Sequence, residues 1–109
     1  MRTITVTVHY DNPLRGFPDW VNAFAFGRNI YFRKPKEQVG LILMNHELIH
    51  VCQFEEHGLV KFLFQYFIRE LRTSYRRKSF EREAFENESN LSYLSQRWPE
   101  YEITIVEKD

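Results

Sequence analysis

A His-Glu-Leu-Ile-His run at residues 46–50 lies inside an apolar stretch and restricts most strongly how this chain can fold. The stretch from Val39 to Phe54 is apolar almost all round, which is typical of a helix buried in a protein core. On a helix, His46 and His50 project about 40° apart with roughly 6 Å of rise between them, so both imidazoles can reach one metal ion. Burying these polar side chains without partners would cost several kcal/mol, and a bound metal ion would offset that cost.

Glu47 lies beside this face of the helix, where it can hydrogen-bond a metal-held water molecule without being a ligand itself. Zinc-dependent hydrolysis requires two neutral nitrogen ligands, a carboxylate base and an open coordination position. The pattern therefore predicts one Zn²⁺ ion bound by His46 and His50, with Glu47 as the catalytic base. The alternative is a buried helix with two incidental histidines, because so short a pattern also arises by chance.

A third protein ligand is needed if a water molecule is to occupy the fourth coordination position. His57 follows His50 by seven residues, or about 10 Å of helical rise, so no straight helix brings it to the same ion. Because His57 precedes Gly58, we expect it at the C-terminus of the helix, where a cation interacts well with the helix dipole. Gln53, one turn past His50, either supports the ligands or is a surface amide.

The second source of a ligand is a downstream helix with an apolar stripe. Glu81 and Glu83 lie on opposite borders of this stripe, and periodicity alone does not choose between them. The alternative is that both are solvated surface glutamates, which is the usual environment of this residue type. The stripe consists of Phe80, Ala84, Leu91, Leu94 and Trp98.

These two motifs together resemble the small bacterial gluzincin-type zinc metallopeptidase domains, the minigluzincins. The matching patterns are HExxHxxQ at residues 46–53 and FExEA at residues 80–84, and the resemblance runs from about Gly27 to Ser89. It implies a zincin-like fold in which the two signature histidines bind zinc, the glutamate between them is the base, and Glu81 is the third ligand. Many gluzincins also place an aspartate four residues after that ligand to hold a histidine ring, and this chain departs from them with Phe85.

The length and composition predict a single domain over residues 1–109, and the resemblance implies that it is a minimal zincin-like one. Hydrophobic residues make up 43% and aromatic residues 17% of the chain, enough for one core. Fifteen basic and fifteen acidic side chains cancel, which provides no electrostatic attraction toward nucleic acid. The one cysteine, Cys52, is expected to be a buried filler and excludes an internal disulfide framework. With no apolar signal segment at the N-terminus, these features favour a cytoplasmic protein.

The rest of the chain predicts an α+β domain, with a small, mostly antiparallel sheet packed on about three helices. Residues 2–10 alternate with period two and predict a strand, and residues 22–33 suggest a second strand region with a bend at Gly27. Pro35 is expected to begin the signature helix and Gly58 to end it. The segment 102–107 predicts a final strand that pairs with residues 3–8.

A further helix is expected from Leu59 to about Arg77, apolar in its first half and rich in arginine in its second. The apolar run is too short to span a bilayer. The 59–78 region can be part of the core, a dimer contact or a membrane-surface contact. Tyr75 is a candidate for stabilising the oxyanion, with Tyr66 and Arg69 as weaker candidates.

These observations predict a zinc metallopeptidase that acts on a peptide or protein substrate. An extended substrate is expected to add as a strand to a free edge at Asn29–Phe32, just before the signature helix. The alternatives are a catalytically weak or inactive zincin-like module that binds a partner through the Phe62–Phe67 surface, a structural-metal or metal-free protein, and a latent protease covered by its own termini.

Overall fold

The computed structural model describes residues 1–58 and 75–108, with side chains in the second range from residue 80 onward. Within these residues, a four-stranded sheet and three α-helices form an α+β fold, which confirms the predicted class. The elements are β1 (Arg2–His9), β2 (Ala23–Phe26), β3 (Asn29–Phe32), α1 (Leu41–His57), α2 (Tyr75–Asn87), α3 (Tyr93–Arg97) and β4 (Tyr101–Lys108).

The strand order is β2-β3-β1-β4, and strand directions differ from the prediction. β1 pairs in parallel with both β3 and β4, and only the β2–β3 hairpin is antiparallel. The expected mostly antiparallel sheet is therefore a mixed, mostly parallel one, because β3 and β4 both reach β1 through crossover connections. The predicted pairing of the last strand is confirmed, with Thr3 opposite Glu102 and Val8 opposite Glu107.

The prediction of a free edge at β3 is wrong. β3 pairs with β1 on one side and with β2 on the other, so its backbone groups lie inside the sheet. The sequence correctly indicated a bend at Gly27, which has a φ of 60° and connects β2 to β3. That hairpin adds β2 outside β3 and makes β2 the edge strand on this side.

The core lies between the sheet and α1. Alternate residues of β1 and β3 point toward the helix, as expected for strands with one covered face. Leu48 and Val51 are the residues of α1 that pack against them. The signature helix is thereby fixed at the centre of the domain. The buried strand residues are Ile4, Val6, Val8, Ile30 and Phe32.

The start of α1 differs from the prediction, whereas its end agrees. Pro35 precedes a short 3₁₀ helix at Lys36–Gln38, and α1 begins only at Leu41, after Gly40. Gly58 ends the helix with a φ of 81°, and its N–H donates to the carbonyl of Phe54 at 2.7 Å. A glycine suits this position because residues with a Cβ atom rarely adopt positive φ.

The predicted apolar stripe from Phe80 to Trp98 is divided between two helices. Ala84 on α2 and Trp98 at the end of α3 are buried together against Ile49 and Cys52 of α1. Buried Cys52 is confirmed as an apolar filler, and burial raises the pKa of its thiol to about 12.

Several predicted features lie outside the described part of the chain. These are most of the 59–78 region, its Phe62–Phe67 surface, and the candidates Tyr66 and Arg69. Tyr75 is the first residue of α2, but its side chain is also outside the described part. Within residues 1–58 and 75–108, no helix has the length and apolar character needed to cross a membrane.

Candidate metal centre

The signature residues of α1 are buried where the helix faces α2. Leu48 and Val51 pack one side of α1 against the sheet, so His46 and His50, on the opposite side, turn toward α2. His46 and His50 are 8% and 9% exposed, and their rings lie 4.9 Å apart between centroids. Polar groups this deeply buried require partners.

Glu81 of α2 reaches the same place and completes a cluster of three metal-ligating side chains. One donor atom from each of His46, His50 and Glu81 lies within 4.8 Å of the other two. Nε2 of His50 is 2.6 Å from Oε1 of Glu81, whose side chain is 42% exposed. Two imidazoles and a carboxylate with solvent on one side form a group that can hold a metal ion.

A hydrogen-bond network fixes which nitrogen of His50 faces the cluster. Nε2 of Gln53 donates to the carbonyl of Phe80 at 3.0 Å and to Oε1 of Glu83 at 2.8 Å. The amide oxygen of Gln53 must then face His50, where it accepts from Nδ1 at 2.8 Å. Nδ1 therefore carries a proton, and Nε2 is the nitrogen available to a metal ion. Gln53 supports His50 and is not a surface amide.

Glu83, the alternative third ligand, belongs to the hydrogen-bond network that holds Gln53. It is not part of the cluster formed by His46, His50 and Glu81. Besides Gln53, its carboxylate accepts a 2.6 Å hydrogen bond from the hydroxyl of Tyr93 and lies 3.7 Å from Nε of Arg97. Burial, followed by the hydrogen bond to Glu83, raises the pKa of Tyr93 to about 12, so this hydroxyl remains a donor.

His46 is held by a carboxylate that the sequence pattern did not single out. Nδ1 of His46 is 3.2 Å from Oε1 of Glu88, which directly follows α2. Phe85 packs its ring edge-on against the imidazole, with 4.7 Å between ring centroids, while remaining 62% exposed. Glu88 lies seven residues after Glu81, or two helical turns, and that spacing is the only sequence signal that would have indicated it.

Asn45 fixes the backbone that carries Glu88. Its buried Nδ2 atom donates to three carbonyl oxygens at and just past the end of α2: Asn87 at 3.3 Å, Glu88 at 2.8 Å and Asn90 at 3.0 Å. Helix C-termini leave carbonyl groups without intrahelical partners, and this side chain satisfies them. Asn45, which directly precedes His46, thus binds the segment that carries Glu88, the carboxylate partner of His46.

The carboxylate of Glu47 is 6% exposed and makes no hydrogen bond within the described residues. Burial raises its pKa to about 7, the charge of His50 opposes this shift, and the charge of Glu81 adds to it. A buried carboxylate without a hydrogen-bond donor is costly unless a further group comes to it. Glu47 therefore fits a site that is completed by a bound ion and its water.

The pKa values of the two histidines shift in opposite directions. Burial and the charge of His50 lower the pKa of His46, although the carboxylates of Glu81 and Glu88 oppose this. Burial also lowers the pKa of His50, but the hydrogen bond with Glu81 and the charges of Glu47 and Glu81 outweigh it, so the net shift is upward. Both ring nitrogens of His50 face oxygen atoms, Nδ1 that of Gln53 and Nε2 that of Glu81.

His57 lies away from the cluster, at the last residue of α1. Its Nε2 atom is 3.2 Å from Oε1 of the neighbouring Glu56, and its ring packs against Phe80. This agrees with the expected position at the helix C-terminus.

The fold and the cluster define a small α+β protein with a candidate metal centre. Its residues 5–58, just under half of the chain, match the eCIS core domain family, a family associated with zincin-like metallopeptidases. The match covers β1 to α1, including both histidines and Glu47, but ends before Glu81. Searches of curated proteins and of solved structures give no significant match.

Proposed function

We propose that this chain is a zinc-dependent metallopeptidase that hydrolyses peptide bonds. The observation that carries the proposal is the convergence of His46, His50 and Glu81 beside Glu47, a buried carboxylate without a hydrogen-bond partner in the described residues. When bound, a zinc ion supplies Lewis acidity and lowers the pKa of a coordinated water molecule.

Each of the four side chains has a distinct role in this proposal. Nε2 of His46, Nε2 of His50 and a carboxylate oxygen of Glu81 would hold the ion. Glu47 accepts a proton from the attacking water and delivers it to the leaving amine. Burial of Glu47 holds its carboxylate near His50 and Glu81, so it is oriented before substrate arrives.

An extended peptide would add to the sheet at β2 instead of β3. β2 is the edge strand next to β3, and α1 packs against it. Main-chain hydrogen bonds from an edge strand bind a peptide without requiring a particular side chain. Phe24 and Phe26, whose rings lie 6.2 Å apart, would contact side chains of that peptide.

The experiment is hydrolysis of a quenched fluorescent peptide library by the zinc-loaded protein, compared with Glu47→Gln. The variant is expected to bind zinc while losing at least ~100-fold in activity, since general base catalysis contributes about that much. Glu86→Gln, an exposed glutamate paired with Arg82 on α2, is the matched control and should retain full activity. Wild-type zinc binding without hydrolysis that depends on Glu47 would contradict the proposal.

The second candidate function is an inactive zincin-like module that binds a partner. Exposed aromatic side chains before and on β2 favour it, since Trp20 is 79% exposed and Phe26 is 40% exposed. Activity that is absent in the wild type and unchanged in Glu47→Gln, with zinc bound in both, would support this function.

A further inference from the structure

We propose that Glu88 is a positioning residue that orients His46 toward the metal ion, a role that rests on the proposed metal site. Glu88, just past the end of α2, would accept a hydrogen bond from the ring of His46. Phe85, within the helix, cannot accept such a bond. The supporting observation is the 3.2 Å contact between Nδ1 of His46 and Oε1 of Glu88.

The contact determines the orientation of the imidazole because an ionised carboxylate only accepts hydrogen bonds. Nδ1 of His46 must therefore donate, which leaves the lone pair on Nε2. Nε2 is also the free nitrogen of His50, because Gln53 accepts from Nδ1 there. Both histidines thus present the same kind of nitrogen to the cluster, one directed by a charged group and one by a neutral amide.

Two further hydrogen bonds fix the backbone that carries the carboxylate of Glu88. Asn45, adjacent to His46, donates to the carbonyl of Glu88 at 2.8 Å, so backbone segments on both sides of the contact are tied together. Asn87, the last residue of α2, donates from Nδ2 to the carbonyl of Glu83 at 2.8 Å and holds the final helical turn. The glutamate side chain is only 25% exposed, which limits competition from water.

Phe85 shields the same imidazole from another direction. Its ring meets that of His46 at an interplanar angle of 65°. An aromatic ring cannot accept the Nδ1 proton as a carboxylate does, so Phe85 restricts the ring by packing alone. Glu88 therefore orients the imidazole of His46 by a hydrogen bond, and Phe85 restricts it by packing.

Loss of a hydrogen-bond partner outside the metal ligands typically costs 10- to 100-fold in metal affinity. We expect Glu88→Ala to weaken Zn²⁺ binding by about this factor. Glu88→Gln should have a smaller effect, because its amide oxygen still accepts from Nδ1 but carries no charge to increase the basicity of the imidazole.

The test is competitive Zn²⁺ titration of the full chain against a chromophoric chelator, for wild type, Glu88→Ala, Glu88→Gln and Glu86→Ala. Glu86 lies two residues away, pairs with Arg82 and does not touch a histidine, so its variant is the matched control. Thermal unfolding in chelator reports whether each variant folds. In the zinc-loaded proteins, the NMR signal of the His46 Nδ1 proton reports the contact itself, and a purely structural role would leave it unchanged.

The expected result is an affinity order of wild type, then Gln, then Ala, with Glu86→Ala equal to wild type. The Nδ1 proton should exchange rapidly with water only in Glu88→Ala. Equal Zn²⁺ affinity and an equally protected proton in Ala, Gln and wild type would overturn the inference while leaving the proposed function intact. If Glu88→Ala does not fold, the Zn²⁺ affinity of Glu88→Gln decides, and a value equal to that of wild type would overturn the inference. A wild type that does not bind Zn²⁺ overturns both proposals.

Discussion

Oε1 of Glu83 accepts a 2.8 Å hydrogen bond from Nε2 of Gln53, so this carboxylate supports His50 through an amide. The two glutamates of the FExEA motif therefore occupy different layers of one site. Glu81 faces the histidines, whereas Glu83 lies behind Gln53 and between Tyr93 and Arg97.

The different positions of Glu81 and Glu83 predict different effects of the same substitution. Glu81→Gln removes a metal donor and should lower Zn²⁺ affinity by more than ~100-fold, beyond the usual effect of an outer partner. Glu83→Gln leaves the donors in place and should cost ~10-fold or less. Zinc content after gel filtration and competitive titration would measure both. Loss of metal only in Glu83→Gln would contradict the arrangement.

Local patterns in the sequence were sufficient for α1 and for the strands at both ends of the chain. Period-two alternation predicted β1, and the apolar run around the HExxH motif predicted a buried helix, because both depend on neighbouring residues. The choice of Glu81 over Glu83 did not follow from periodicity and came from the family resemblance. In the structure Glu81 lies in the cluster with both histidines, whereas Gln53 and Tyr93 engage Glu83.

Features that depend on distant parts of the chain were not predictable in this way. Strand direction depends on how the crossovers return to β1, and no pattern within β3 or β4 indicates it. The contact of Glu88 with His46 requires α2 to end at Asn87 and Asn45 to bind the segment that follows. Local sequence patterns cannot indicate where a helix ends when a side chain from another helix determines that end.

The raised pKa of Glu47 predicts how the stability of the metal-free protein varies with pH. Its pKa rises from 4.5 to about 7 in the folded protein, so between these values the folded state binds more protons than the unfolded state. The free energy of unfolding should therefore decrease as pH rises through this window, by about 3 kcal/mol in total from this group. Glu47→Gln should remove this loss and be more stable than wild type at pH 8 but not at pH 4.

Urea unfolding at several pH values, with chelator present, would measure this effect. Glu86→Gln is the control, because the side chain of Glu86 is 60% exposed and pairs with Arg82 at the surface. That substitution should lower stability at pH 8 by about 1 kcal/mol or less. A Glu47→Gln variant less stable than wild type at pH 8 would show that the carboxylate has a favourable partner in the metal-free protein.

Zinc affinity is expected to increase as pH rises through the pKa of His50. This pKa is raised in the metal-free protein, and a proton on Nε2 would lie between the ring and Glu81, where the ion would bind. Binding must release that proton, so protons compete with the metal. Isothermal titration calorimetry in buffers of different ionisation enthalpy would count the protons released. A pH-independent affinity would argue against binding at His50.

Removal of Asn45 should affect stability and metal binding together. Asn45→Asp has the same shape but replaces the donor that serves three carbonyl groups with a group that repels them. A buried side chain at position 45 that faces carbonyl oxygens without a donor should cost about 2 kcal/mol. Zn²⁺ affinity should also fall, because the segment that carries Glu88 is released. Chemical unfolding with and without Zn²⁺ would separate the two effects, and unchanged values in both would contradict this role.

The end of α1 offers a test with an internal control, since glycines lie at both ends of the helix. Gly58 has a φ of 81°, and Gly40 has a φ of −80°, while an added Cβ would meet no atom within 4 Å at either position. Any difference between the two alanine variants must therefore come from backbone conformation. Gly58→Ala should destabilise the protein by about 1 kcal/mol, whereas Gly40→Ala should change stability by less than about 0.5 kcal/mol. Equal effects in thermal unfolding would contradict the left-handed conformation at Gly58.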